Sequence, residues 1–113
     1  MASLASIEEN KYLNSFKVTA SADNALAVAS VPAVAGKSHY ITSVAASYGS
    51  AKTGLLQIKD GATVIFEQYI VNADNISFPV PLKGTNGNAV SAELAASGTA
   101  GVLGKVNLVG FTA

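Results

Sequence analysis

His39 is the only histidine in the chain, and no cysteine accompanies it. A zinc or iron centre gathers several imidazole, thiolate or carboxylate ligands. That donor set is missing, so no metal site is expected and His39 reads as a partly exposed strand histidine. A Ser-His-Asp relay would also have to pass through His39, yet no serine stands in a Gly-x-Ser-x-Gly elbow, and Ser97-Gly98 reads as a loop. Paired carboxylates offer another chemistry, hydrolysis of a glycosidic bond. Past the first dozen residues the acids are Asp23, Asp60, Glu67, Asp74 and Glu93; a turn accounts for Asp60 and a loop for Asp74. Glu67 and Glu93 fall in strand-like segments and neither is assigned a proton-transfer role. Gly84-x-x-Gly87 and Gly98-x-x-Gly101-x-x-Gly104 lack both the dinucleotide fingerprint and the Lys-Ser/Thr of a P-loop, so they read as turns and no cofactor is implied. Tyr12, Tyr40, Tyr48 and Tyr69 offer rings for stacking on sugars, although tyrosines in a chain without tryptophan more often half-bury at a core edge or an interface. The expectation is a protein without catalytic, cofactor or metal residues.

The elements that would position these residues are strands. Phe16-Lys17-Val18-Thr19 alternates, Leu26 and Val28 lead to Val31-Pro32, and His39 to Val44 follows a turn at Gly36. Leu55 to Lys59, then Asp60-Gly61, then Ala62 to Phe66 predict a hairpin whose Asp-Gly supplies the two positive-φ positions of a tight turn. Its second strand continues through Tyr69 to Val71, and Asn72 to Asn75 turn the chain into Ile76-Ser77-Phe78. Along that second strand, alternation puts Glu67 with Ile65 and Tyr69, and Val64 with Phe66 and Gln68. The Glu67 face is thus mixed, as at a subunit interface, which makes Tyr69 and Glu67 candidate interface residues. Pro79 and Pro81 cannot donate ladder hydrogen bonds, so their stretch is an edge or a crossing between sheets, and the strand is expected to end there. Ala89 to Ala96 has fair helix propensity, but alternation of Val90, Ala92 and Leu94 favours a strand, and Lys105 to Phe111 supplies the last. About eight strands with turns every 8 to 12 residues predict an all-β, single-domain antiparallel β-sandwich over 14–113, jelly-roll-like.

Residues 1–13 differ. Ser6-Ile7-Glu8-Glu9 could cap one helical turn, and the segment reads either as a frayed terminus or as an arm laying Leu4, Ile7, Tyr12 and Leu13 on a neighbouring subunit.

Composition bounds the partners. Half of the 113 residues are hydrophobic and 12% are charged, against about a quarter charged in ordinary soluble domains. Seven Lys and Arg balance seven Asp and Glu, so the surface repels neighbouring molecules weakly and part of it is expected to be covered by other copies or a partner. All the basic residues are lysines, and they are dispersed. Without arginine forks or a basic patch, nucleic acid is not an expected partner. Met1 to Asn10 holds no Lys or Arg, so a secretory signal is not expected. The apolar runs fall far short of the roughly 20 residues that span a bilayer, so no membrane partner is expected either.

Three phrases resemble small structural proteins of tailed bacteriophages: Ile41 to Tyr48, Gly54 to Gly61 and Pro81 to Ala96. The closing Gly104 to Phe111 fits the same pattern. The resemblance spans roughly the last two-thirds of the chain, and residues 1–13 match nothing in it. It implies a virion protein made in the host cytoplasm and carried on the capsid surface: a capsid decoration or head-stabilising protein with a jelly-roll fold. Such proteins are often homotrimers on local symmetry axes and have the major capsid protein as partner. Two alternatives belong to other classes. One is a carbohydrate- or receptor-binding tip module of a phage fibre; the other is a small cupin-like enzyme, which would carry bound metal.

Overall fold

The computed structural model describes residues 14–113. Eight strands follow one another among these residues: β1 (Ser15–Asp23), β2 (Ala27–Val31), β3 (His39–Tyr48), β4 (Thr53–Asp60), β5 (Thr63–Val71), β6 (Ala73–Lys83), β7 (Val90–Leu94) and β8 (Leu103–Thr112). They form two four-stranded antiparallel sheets, sheet A in the order β1-β8-β3-β6 and sheet B in the order β2-β7-β4-β5. This is the strand order of a jelly roll, and no helix occurs among the described residues.

Period-two alternation explains the layering. In β4, Leu56 and Ile58 are fully buried while Leu55, Gln57 and Lys59 face outward. In β7, Val90, Ala92 and Leu94 are buried and Ser91 and Glu93 are not, which settles that segment as a strand. Sheet A contributes Ile41, Val44, Val106 and Leu108 to the same core. Across the sandwich, the Tyr48 hydroxyl of β3 donates to the Ala95 carbonyl at 2.8 Å. Its ring fits because Gly54 lies beside it; a Cβ there would lie 2.7 Å from Tyr48 Cζ. Burial pushes the Tyr48 phenol above its ordinary value.

Several local expectations are corrected. The β4–β5 hairpin exists, but its two-residue loop is Gly61-Ala62, because Asp60 still pairs with Thr63. Gly61 alone takes positive φ, at 59°, as the first central position of a type II′ turn requires. Asp60 is freed from the turn and is used elsewhere. Next, Ile58 pairs with Phe66 whereas Lys59 pairs with Val64, so Ile65 is the extra residue of a β-bulge. The bulge breaks alternation and moves Val64 to the outer face with Lys59, away from Phe66. The chain then passes from sheet B to sheet A at Asn72, whose φ is 68°; Ala73, Asp74 and Asn75 already belong to β6. Finally, the Pro79-Val80-Pro81 stretch lies on an edge strand as expected, but β6 does not end there. Ser77 pairs with Ser43 and Leu82 with Ile41, so residues 78–81 loop out of the ladder and the strand resumes beyond them.

Candidate interaction surface

The residues singled out for chemistry do not come together. His39 is buried, 1% exposed, and not partly exposed as its sequence context suggested. Nε2 lies 2.8 Å from the Pro32 carbonyl, which can only accept, so Nε2 carries the hydrogen. Nδ1 is then free to accept from the Thr112 hydroxyl at 2.8 Å. The Phe16 ring packs edge-on at 5.7 Å. Both ring nitrogens are thus committed to clamping the 32–39 segment onto β8. Among the described residues no group of three His, Cys, Asp or Glu side chains is placed to hold a metal ion.

Asp60 is also buried, 9% exposed. Its carboxylate accepts from the Thr85 amide at 3.0 Å, the Thr85 hydroxyl at 2.6 Å and the Asn88 side-chain amide at 3.2 Å. Burial alone pushes the carboxyl up; the Thr85 and Asn88 hydrogen bonds outweigh it and hold the group below its ordinary value. Asp60 thus ties the 84–88 loop to the end of β4.

Glu67 and Glu93 do share a face, the outer one of sheet B, separated by Gln57. In register, Gln57 pairs with Glu67 on β5 and with Glu93 on β7, and Glu93 pairs with Val28 on β2. Each carboxylate has a partner: Gln57 Nε2 donates to Glu67 Oε2 at 2.8 Å, and Lys59 Nζ lies 3.1 Å from Glu93 Oε1. The pair sits on the outer face of the sheet, Glu67 exposed and Glu93 partly so.

The tyrosines scatter as well. Tyr48 belongs to the core. Tyr40 stacks on Phe111 with centroids 4.8 Å apart and planes 3° from parallel, while Lys83 Nζ lies 5.9 Å from the Tyr40 ring. Tyr69 projects alone from β5, and Tyr12 lies outside the described residues, as do Leu4, Ile7 and Leu13 of the expected arm.

What the outer face of sheet B does assemble is an apolar crescent. Leu26 is 53%, Val28 43%, Tyr69 73% and Val71 72% exposed. Tyr69 pairs with Leu55 on β4, and Leu55 accepts a hydrogen bond from Ala95 N just past β7. Ala27 lies opposite Leu94, which puts Leu26 level with Ala95. Tyr69, Leu55, Ala95 and Leu26 therefore form one row across all four strands, about 14 Å long at ~4.8 Å per strand. The polar row of Glu67, Gln57 and Glu93, ending on Val28, runs beside it. Tyr69 and Glu67, expected to meet a neighbour, occupy the β5 ends of these two rows.

Sequence reasoning missed Leu26, Val28, Leu55 and Val71. Sequence reasoning assigned Leu26 and Val28 no face; the fold buries Ala27, Ala29 and Val31 and leaves Val28, with Leu26 just before β2, exposed. The signal was present in the phase, since Val31 keeps step with the two alanines.

The outer face of sheet A is different. Small side chains, including Ala45, Ser47, Ala73, Asn75 and Asn107, line a shallow depression of about 530 Å³ there. Lys17, Thr19 and Lys105 are exposed beside it.

No protein-family model matches the chain. No curated protein sequence matches it either. Solved structures do. A chain of the acidic stable capsid structure of Helicobacter pylori bacteriophage KHP30 is similar at 14% identity and TM-score 0.56, covering 87% of this chain and 87% of that one. The CBM36-1 domain of a multidomain xylanase from the hindgut metagenome of Trinervitermes trinervoides is similar at 7% identity and TM-score 0.51, covering 86% of this chain and 95% of that one. At these identities the likeness establishes the jelly-roll fold, shared here by a phage capsid chain and a carbohydrate-binding module.

Proposed function

We propose that the protein is a non-enzymatic virion structural protein that binds the outside of a phage capsid and stabilises it as a decoration protein. The observation that carries this reading is the apolar crescent on the outer face of sheet B. An isolated two-sheet sandwich gains nothing from exposed Leu26, Tyr69 and Val71, and a contiguous apolar patch rimmed by polar groups is the mark of a protein contact. The partner is the major capsid protein, held on the outer surface of the shell. Stabilisation needs no reaction centre: each copy spans neighbouring capsid subunits, and symmetry multiplies a modest contact by the number of copies. The unit is a homotrimer, the arrangement suited to local three-fold axes. The phage-like strand phrases of the sequence and the fold shared with a phage capsid chain support this reading.

The test compares virions assembled with the wild-type chain and with Tyr69→Lys/Val71→Lys. Wild-type protein should co-purify with the shell on its outer surface, and the double variant should be lost from it while remaining folded. Retention of the variant at wild-type copy number would sink the assignment. Light scattering of the free protein should give three chains per particle.

A second reading, a carbohydrate- or receptor-binding tip module of a phage fibre, draws on the bare Tyr69 ring beside the Gln57–Glu67 pair, a stacking platform with adjacent hydrogen-bonding groups. It predicts thermal stabilisation by some member of a glycan panel, where the decoration reading predicts none.

A further inference from the structure

We infer that two copies join edge to edge through β5, antiparallel about a two-fold axis at Gln68, so that Glu67 of each copy faces Tyr69 of the other. This rests on the reading of the protein as an assembling unit on a shell, where units on neighbouring three-fold positions are related by two-fold axes.

The four sheet edges are protected unequally. β2 offers five residues, a short template. β6 carries Pro79 and Pro81 and loops out of its own ladder. β1 projects Lys17 and otherwise small polar side chains outward. Short strands, prolines, bulges and edge lysines are the devices that keep sheet edges from pairing. Beyond the Ile65 bulge, the stretch from Phe66 to Val71 has no proline and no lysine, carries one charge, Glu67, and exposes Tyr69 and Val71.

The side chains then select the register. Opposed residues of an antiparallel pair share a face, so an odd offset would set the inner face of one copy against the outer face of the other. Among two-fold registers, an axis at Glu67 opposes the two Glu67 carboxylates, and like charges directly opposite destabilise a pair. An axis at Tyr69 leaves Glu67 against Val71. An axis at Gln68 instead gives Phe66 against Ile70 on the inner face and Glu67 against Tyr69 on the outer face, each pair formed twice. Gln57 occupies only Oε2 of Glu67, so Oε1 can accept from the facing phenol, a charge-assisted hydrogen bond. The formal net charge of zero places no long-range repulsion between the copies. The product is an eight-stranded sheet whose two apolar crescents merge into one face.

Because the chain has no cysteine, single-cysteine variants of the full chain read the register directly. Opposed Cα atoms in an antiparallel pair lie about 4.5 to 5.5 Å apart, within the roughly 4.4 to 6.8 Å that a disulfide bridges. On assembled particles under mild oxidation, Gln68→Cys should shift from one chain's mass to two on a non-reducing gel, while Val64→Cys and Glu67→Cys should stay at one. Cross-linking strongest at Glu67→Cys or Val64→Cys, or at none of the three, would overturn the pairing. Should Gln68→Cys fail to fold, a mixture of Glu67→Cys and Tyr69→Cys tests the same register: a two-chain product in the mixture and in neither variant alone supports it, and its absence refutes it. Light scattering of the free protein separates the two readings, since a three-chain mass there with no Gln68 cross-link on the particle refutes the edge pairing and leaves the trimer standing.

Discussion

The two outer faces of this sandwich belong to the same chain and the same core, yet they are dressed for different surroundings. Sheet A turns mostly lysine, threonine, serine, asparagine and alanine outward, its exposed large apolar side chains being Val80 in the looped-out stretch of β6 and Leu103 at the start of β8. Its large outward aromatic pair covers itself, Phe111 lying under the Tyr40 ring at 4.8 Å. Sheet B turns outward a tyrosine, leucines and valines that stay open to solvent among the described residues. A fold needs two apolar inner faces and is indifferent to the outer ones, so a difference between outer faces reports on what each meets. On the proposed function, the outer face of sheet B is the one that meets protein.

The inner faces should erase this difference. Leu108→Ala in sheet A and Ile58→Ala in sheet B both remove side chains that are 0% exposed. Each should cost about 2 to 5 kcal/mol by urea unfolding, from lost transfer energy and the cavity left behind. A large effect in one sheet and a negligible one in the other would break the picture of a shared core.

A smaller loss is expected at the loop that Asp60 holds. Asp60→Ala leaves the Thr85 amide and the Asn88 side chain without their acceptor and should cost about 1 to 3 kcal/mol. The folded-state pKa of Asp60 lies below its ordinary 3.8, so the stability it lends is complete above pH ~4 and is lost as pH falls through the lower folded value. Asp60→Asn should therefore flatten part of the acid limb of the stability curve; an unchanged limb would contradict the role given to the Thr85 and Asn88 bonds.

The smallest effects on the free chain sharpen the comparison most. Tyr69→Lys/Val71→Lys on sheet B and Thr19→Lys/Ser21→Lys on sheet A should each change stability by no more than about 0.5 kcal/mol, as surface substitutions do. Only the sheet B pair should abolish attachment to the shell. Equal losses from both pairs would mean that added charge, and not the crescent, governs attachment.

The sequence exposes this architecture unevenly. Where large apolar residues keep strict alternation, as with Leu56 and Ile58 or Val90 and Leu94, strand and face can both be read from the chain. Where the core positions are alanines and an outer one is a valine, as at Ala27, Val28 and Ala29 of β2, size does not mark the inner face. A bulge such as that at Ile65 cannot be seen locally, because it is defined by the partner strand. The buried roles of His39 and Asp60 depend on Thr112, 73 residues away, and on Thr85 and Asn88, 25 and 28 residues away, which no local pattern can supply. Tyr69 and Glu67 stood out because their strand mixed apolar and charged residues on one face. The rest of the crescent comes from β2, β4 and the end of β7, and only the sheet order brings it together.

Hydroxyl-radical footprinting of the free protein and of the protein bound on assembled particles tests the central claim most directly. Oxidation of Tyr69, Leu26 and Val71 should fall sharply on assembly while Lys17 and Lys105 on sheet A remain as reactive as in the free chain. Undiminished oxidation of Tyr69 on the particle, or protection of sheet A instead, would contradict the account.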